Sequence, residues 1–247
     1  MVSEVYLMPK EVKVVQTLDD SRLEEYNEGI KSYSETARKT LGKFKSIDGV
    51  LAGSNKFMVV EMIQKGLLPE GIDYIVRRED LEEALEMDSN FLKGKYVDVG
   101  LTLRTNGDSY KPNDLLAKQL YEDLSSRGID LGNGKLISLN DLRIEENSDS
   151  AYGLVFRLND SATKDSVLDL DSSKWNWGLN NGLARACLDS CHNWSFNVVS
   201  LDVSSDNGRV VGLGWKLKNL YSEKNLIKVF KDANISGIYN LIKDKLK

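Results

Sequence analysis

The side chains best suited to thiol or metal chemistry lie in one stretch, NGLARACLDSCHNW (residues 181–194). It holds both cysteines of the chain, Cys187 and Cys191, and its single histidine, His192. On a helix, Cys187 and Cys191 would share a face, but His192 would point about 100° away from Cys191; on a strand, Cys191 and His192 would face opposite sides. Structural zinc takes four ligands, and there is no second Cys/His pair to complete the shell, so no metal is expected. The C-x-x-x-C spacing is neither a redox C-x-x-C nor easily bridged, because a disulfide needs Cα atoms within roughly 7 Å. A Cys–His nucleophile pair fails because side chains adjacent in sequence diverge. Unremarkable thiols and a surface histidine are the simplest reading, and no cofactor or enzymatic activity is expected from them. What gathers the rare residues here must be something other than catalysis.

The elements that carry this stretch come from a chain of 247 residues, 41% hydrophobic and 29% charged, which suits a folded domain with a sizeable core. A net charge of −5 argues against general nucleic-acid binding. No window of the length a bilayer requires is apolar throughout, so no membrane span is expected. The N-terminus lacks a basic region followed by an apolar run, which points to a cytoplasmic or virion-associated protein. The pattern predicts a strand over residues 2–8, a helix over 21–44 and a boundary at Gly42, Gly49 and Gly53. It further predicts a helix over 78–87, a strand over 95–105, a helix over 113–126 ended by Gly128, and short strands near 135, 151 and 167. Asn207-Gly208 between alternating runs predicts a hairpin of residues 195–203 with 209–215. Residues 216–247 carry eight lysines against Glu223, Asp232 and Asp244, with an apolar helical face through Leu226, Ile227, Phe230, Ile238, Leu241 and Ile242. They read as a basic helical tail whose face packs on the domain or, with the N-terminal helix, drives self-association.

Between Lys174 and Lys216 the chain contains no Lys, Glu, Gln or Met, although these four types account for 47 of the 247 residues. The same window holds all four tryptophans, Trp175, Trp177, Trp194 and Trp215. Burial would explain a shortage of Lys and Glu, but not the survival of Asp189, Asp202, Asp206, Arg185 and Arg209 beside Asn, Ser, Cys and His. The genetic code accounts for both. Randomising the adenines of asparagine codons (AAC or AAT) reaches many residue types without creating a stop, and Lys, Glu, Gln, Met and Trp are outside the reachable set. From Gly178 to Leu213 every residue except Trp194 belongs to that set. Tryptophan's codon has no adenine, so the tryptophans read as untouched framework, together with Arg185 and Arg209, whose guanidinium forks suit loop carbonyls.

With Ala184-Arg185, the central Trp194 and Gly208-Arg209-Val210-Val211, the segment resembles the variable region of proteins diversified by retroelements. LPEGIDYIVRREDLEEAL (residues 68–85) is similar to the first-helix motif of formylglycine-enzyme-like lectin folds, departing from it at Asp73 and in lacking a Pro-Thr pair. The resemblance implies an α+β, C-type-lectin-like fold with two helices, a small antiparallel sheet and irregular loops, and helical N- and C-terminal extensions. The expected domains are residues 1–45, 46–215 (variable over about 175–215) and 216–247. It also implies a non-enzymatic protein whose hypervariable face takes a variable, protein-class ligand. The expected contact residues are Asn176, Trp177, Leu179, Asn180, Asn181, Cys187, Asp189, Ser190, Cys191, His192, Asn193, Ser195, Phe196, Asn197, Asp202 and Ser204, about half of those in 195–204 facing inward if that stretch is regular strand. Three alternatives stand beside this reading. One is a relative of formylglycine-generating oxidases, which carry a C-x-x-x-x-C pair where this chain has C-x-x-x-C. Another is a structural assembly module of a virion or cell. The third is a calcium-dependent lectin, for which no Glu-Pro-Asn or Trp-Asn-Asp run is present.

Overall fold

The computed structural model describes residues 10–14, 20–47, 49–52, 55–69, 72, 74–106, 110–170, 182–197 and 200–215. In chain order the elements are β1 (Lys10–Val14), α1 (Asp20–Gly29), a 3-10 turn (Ile30–Ser32), α2 (Glu35–Leu41), β2 (Lys45–Ile47), β3 (Val50–Ala52), α3 (Lys56–Gln64), β4 (Tyr74–Ile75), α4 (Arg78–Met87) and β5 (Tyr96–Leu103). They continue as α5 (Lys111–Ser126), β6 (Lys135–Ser138), a second 3-10 turn (Leu139–Asp141), β7 (Leu142–Glu146), β8 (Leu154–Leu158), β9 (Leu168–Asp169), β10 (Leu183–Leu188), β11 (Trp194–Asn197), β12 (Gly208–Arg209) and β13 (Val211–Trp215). The class is mixed α+β, with five α-helices among the described residues where the sequence predicted three: the helix expected over 21–44 is two, and the central domain has three where two were expected.

β5 is the hub. Along one edge it pairs antiparallel with β10, from Leu183↔Leu103 to Leu188↔Val97. A strand has only two edges, so its other partners share the second one: β6 pairs with Gly100 to Leu103, and β12 runs parallel to Tyr96 and Val97. β11 extends the sheet beyond β10, and β3 and β2 extend it beyond β12. β7 and β8 form a separate two-stranded sheet, and β13 lies between β1 and β4 in a third.

Two predicted helices stand where expected. α4 spans Arg78–Met87, with the Asp80 carboxylate accepting from the Arg77 backbone N–H at 3.0 Å; α5 spans Lys111–Ser126, with Pro112 in its first turn. The helix expected over 21–44 is instead two helices. The 3-10 turn interrupts it, and the Ser34 hydroxyl then accepts from the Ala37 N–H to start α2. Helix α3 had no periodic signal because all of its faces are covered: residues Lys56 through Met62 are buried without exception. Asn55 caps it, accepting from the Met58 N–H at 3.2 Å while its amide donates to the carbonyls of Thr40 and Lys43, so the cap also ties α3 to the end of α2.

The boundary expected near residue 45 is not a boundary in the packing. Residues 12–214 form one compact unit, and Tyr26, Ile30, Ala37 and Leu41 share a core cluster with Phe57, Leu101, Leu120 and Phe156. The strand expected over residues 2–8 and the tail over 216–247 lie outside the described residues. The hairpin expected between 195–203 and 209–215 does not form: β11 pairs with β10, while β12 and β13 pair with β5, β3 and β4. Asn207-Gly208 is a turn, but one that leads into a strand pairing with distant partners, whose apolar contacts outweigh the local preference.

Gly100 shows how tightly β6 lies on β5. A Cβ at this position would stand 2.2 Å from the Ile137 carbonyl oxygen, a backbone atom that cannot swing aside. Gly100→Ala is therefore expected to cost at least about 1–3 kcal/mol, the usual penalty of overpacking, read as a fall in denaturation midpoint. An unchanged midpoint would mean that β5 and β6 are not packed at this distance.

Candidate functional site

The cysteine and histidine cluster stands on a hairpin. β10 and β11 pair from Arg185↔Asn197 to Leu188↔Trp194, and residues 189–193 make the turn. Asp189 builds that turn. Its backbone N–H donates to the Asn193 carbonyl at 2.8 Å, its carbonyl accepts from the His192 N–H at 3.0 Å, and its carboxylate accepts from the N–H groups of Cys191 and Asn193 at 2.8 and 2.9 Å. An aspartate folding its side chain back onto the following amides is a standard turn device. His192 sits in the left-handed region, φ +62°, a conformation in which Asn, Asp and His are enriched among non-glycine residues. The exposed positions of the tip are Ser190, Cys191 and Asn193; Asp189 and His192 are half-buried.

The underside of the hairpin is fixed. Leu188 and Phe196 pack with Val76, Leu81, Val97, Val99, Ala186 and Val211. Trp194, expected as a buried brace, is half-buried: it lies against this cluster, its indole N–H donates to Glu82 at 3.1 Å, and the Arg78 guanidinium sits 5.5 Å from its ring centroid. Arg78 also donates to Glu82 at 2.9 Å, so one carboxylate of α4 holds both partners.

Below the strand lies a buried ionic cluster. Arg185 grips Asp98 with two parallel bonds, Nε to Oδ1 at 2.8 Å and a terminal nitrogen to Oδ2 at 3.2 Å, and its guanidinium lies 4.3 Å from the Tyr96 ring centroid. Lys56, 0% exposed at the start of α3, puts its Nζ 3.1 Å from the same Asp98 carboxylate. Burial lowers the Lys56 pKa to about 8, against the attraction of Asp98. Arg185 was expected to bond loop carbonyls and does not; Arg209 does, donating to the carbonyls of Asp206 and Gly208 at 2.9 and 2.7 Å.

The second half of the segment is also tied down. Asp202 is buried and pairs with Lys43 and the Ser200 hydroxyl, Asp206 pairs with Lys45 at 2.9 Å, and the Ser204 hydroxyl donates to the Lys43 carbonyl at 2.9 Å. Of the expected contact residues, Cys187, Phe196 and Asp202 are buried: Cys187 sits on β10, which is buried throughout, Phe196 points into the apolar cluster under the hairpin, and Asp202 folds back onto Lys43. Ser195 and Ser204 are half-buried, and Asn197 pairs with Arg185. Asn176, Trp177, Leu179, Asn180 and Asn181 lie outside the described residues, as do Trp175 and residues 198–199. Sequence reasoning missed Lys56 and Asp98; the only hint was a carboxylate amid the apolar residues of YVDVGLTL, whose partners are 42 and 87 positions away.

Neither cysteine is in a disulfide, and among the described residues no group of His, Cys, Asp and Glu is placed to hold a metal ion. Cys187 directs its thiol at the Ser195 carbonyl, 3.6 Å away, and burial pushes its pKa up to about 11. A cleft of about 110 Å³ lies beside the first turn of α4, lined by Arg77, Arg78, Val99, Leu136, Ser138 and Ser166 among others. It is smaller than the pockets of about 300–1,000 Å³ that take drug-sized ligands, and none of the expected contact residues lines it.

Two measurements test this arrangement. At pH 8 in the native state, a maleimide reagent is expected to modify Cys191 quickly and Cys187 only on unfolding, giving one fast equivalent of two. Two fast equivalents would contradict the burial of Cys187. The Lys56 pKa has a definite sign. Between about 8 and its ordinary value of 10.5 the folded chain holds Lys56 neutral while the unfolded chain binds a proton, so its unfavourable contribution is full below pH 8 and fades as pH rises to 10.5. Lys56→Met leaves the Asp98–Arg185 pair intact, and the stability difference between variant and parent is expected to shift in the parent's favour over that window. A difference that stays flat from pH 7 to 10.5 would show that Lys56 titrates normally.

The chain matches no family model, no curated protein and no solved structure.

Proposed function

We propose that the protein is a ligand-binding protein whose recognition face is diversified by adenine-directed, retroelement-type mutagenesis, carried on a C-type-lectin-like frame. The observation that carries the reading is the coincidence of codon reachability with position. In the 175–215 window every residue type that adenine change cannot reach is absent except tryptophan, and Trp194 is held by Glu82, Arg78 and an apolar cluster. The exposed tip of the same hairpin, Ser190, Cys191 and Asn193, is made of reachable types. Small polar side chains on a fixed hairpin suit adaptable contacts, because they can be exchanged without disturbing what lies below them. Asp189 is the exception within the tip: its carboxylate makes the turn, and of the reachable types asparagine supplies the same acceptor.

The oxidase reading finds less support. A catalytic thiol needs access and a thiolate, whereas Cys187 is buried with its pKa pushed up to about 11.

The test has a genetic and a physical arm. The DNA flanking the coding sequence is expected to contain a near-copy of the 175–215 segment that differs only where adenines stand, beside a reverse-transcriptase gene. Replacing Ser190, Cys191 and Asn193 together by Ala, Ser or Tyr is expected to change stability by no more than about 0.5 kcal/mol per position in thermal melts. Arg185→Ala, which strands Asp98 with a single cation, is expected to cost about 3–5 kcal/mol. Lack of any template, together with tip variants that unfold, would refute the reading.

A further inference from the structure

Resting on the ligand-binding reading, we infer that the two loops 189–193 and 203–207 and the Lys93–Lys95 ridge between them make one contact face, whose partner is a protein surface rich in carboxylates. β10 and β12 flank opposite edges of β5 at the same end. The Gly94 N–H donates to the Ser190 carbonyl at 3.3 Å, and two residues later the Tyr96 N–H donates to the Asn207 carbonyl at 3.0 Å. Strands on either side of a third are about 10 Å apart, so the loops that continue from them flank a narrow ridge, the segment 93–96. A protein partner covering a patch of ordinary interface size, about 800 Å² a side, would meet both loops and the ridge together.

The free charge on this face has one sign. Asp189 is committed to the turn amides, Asp202 to Lys43 and Ser200, and Asp206 to Lys45. Lys93 is exposed and Lys95 partly so, and neither has an ion-pair or hydrogen-bond partner through its side chain among the described residues. Both lie outside the window of reachable residue types, so every diversified sibling would keep them while its loops change. Two fixed cations amid exchangeable polar side chains set a constant demand for negative charge in the partner, raising the encounter rate and leaving specificity to the loops. Two lysines in a chain of net charge −5 are too few to hold a phosphate backbone, which favours a protein over a nucleic acid.

The experiment is display of the full chain with Ser190, Cys191, Asn193, Ser204 and Ser205 randomised, and surface expression read as the folding control. Selection runs against two fluorescent proteins of the same fold, one resurfaced with acidic and the other with basic side chains, with single-stranded DNA as a third probe. Acidic-target binders are expected to outnumber basic-target binders by about tenfold, and the excess to vanish at high salt and in Lys93→Ser plus Lys95→Ser. Equal recovery on both proteins would overturn the charge inference and leave the ligand-binding reading standing. A well-displayed library that yields no binder to either protein would overturn both. Binding of DNA by the unrandomised chain, lost in the double-lysine variant, would make the partner a nucleic acid and overturn the protein assignment.

Discussion

One buried carboxylate organises the molecule. Asp98 lies on β5, the strand that β10, β6 and β12 all pair with, and it is shared by Arg185 from β10 and Lys56 from the start of α3. An ion taken out of water is tolerated only when its partners meet it with good geometry, and any slip of β10 along β5 would strand three charges at once. The register of the hairpin strand on the central sheet is thus coupled to the seating of α3, the most enclosed helix of the fold. The shift in pairing between Ala186 and Cys187 falls just after Arg185, so the strand reaches its turn from an anchored point.

That anchor explains how a hairpin can end in side chains that contribute little to its own stability. Arg185, Leu188, Trp194 and Phe196 hold it through ions, apolar contact and one indole hydrogen bond, and the turn closes through Asp189 and backbone groups. What remains at the tip is free of folding duties. The second loop follows a related plan with different means: Arg209 holds its carbonyls, and Lys43 and Lys45, from the chain leading into and through β2, hold its carboxylates. The first loop is thus closed by a carboxylate on backbone amides and the second by a guanidinium on backbone carbonyls, and the residues between the fixed points differ in how much they are needed.

Some of this was legible in the sequence and some was not, for identifiable reasons. α4 and α5 are amphipathic helices at the surface of the core, and helical period with the Gly128 stop sufficed to place them within two residues. α3 and β10 are covered on all sides; their apolar runs, KFMVVEMIQ and LARACL, carry no alternation from which to read a helix or a strand. Asn207-Gly208 carries the local chemistry of a hairpin turn, yet the strands after it pair with β5, β3 and β4, because register is set by which apolar faces can be buried together.

The sequence by itself determined that helices and strands are mixed along the chain, where the amphipathic helices lie, and that the segment from 175 to 215 lacks Lys, Glu, Gln and Met while holding all four tryptophans. These are properties of composition and short-range period, carried by neighbours in the chain. Only the tertiary structure decided which of the candidate contact residues are buried, that Cys187 faces a carbonyl while Cys191 is exposed, and that Arg185 answers a carboxylate 87 positions away. It also decided that two loops distant in sequence flank one end of β5. Burial, ion pairing and strand register are settled by which surfaces meet, and no local pattern in a chain encodes that.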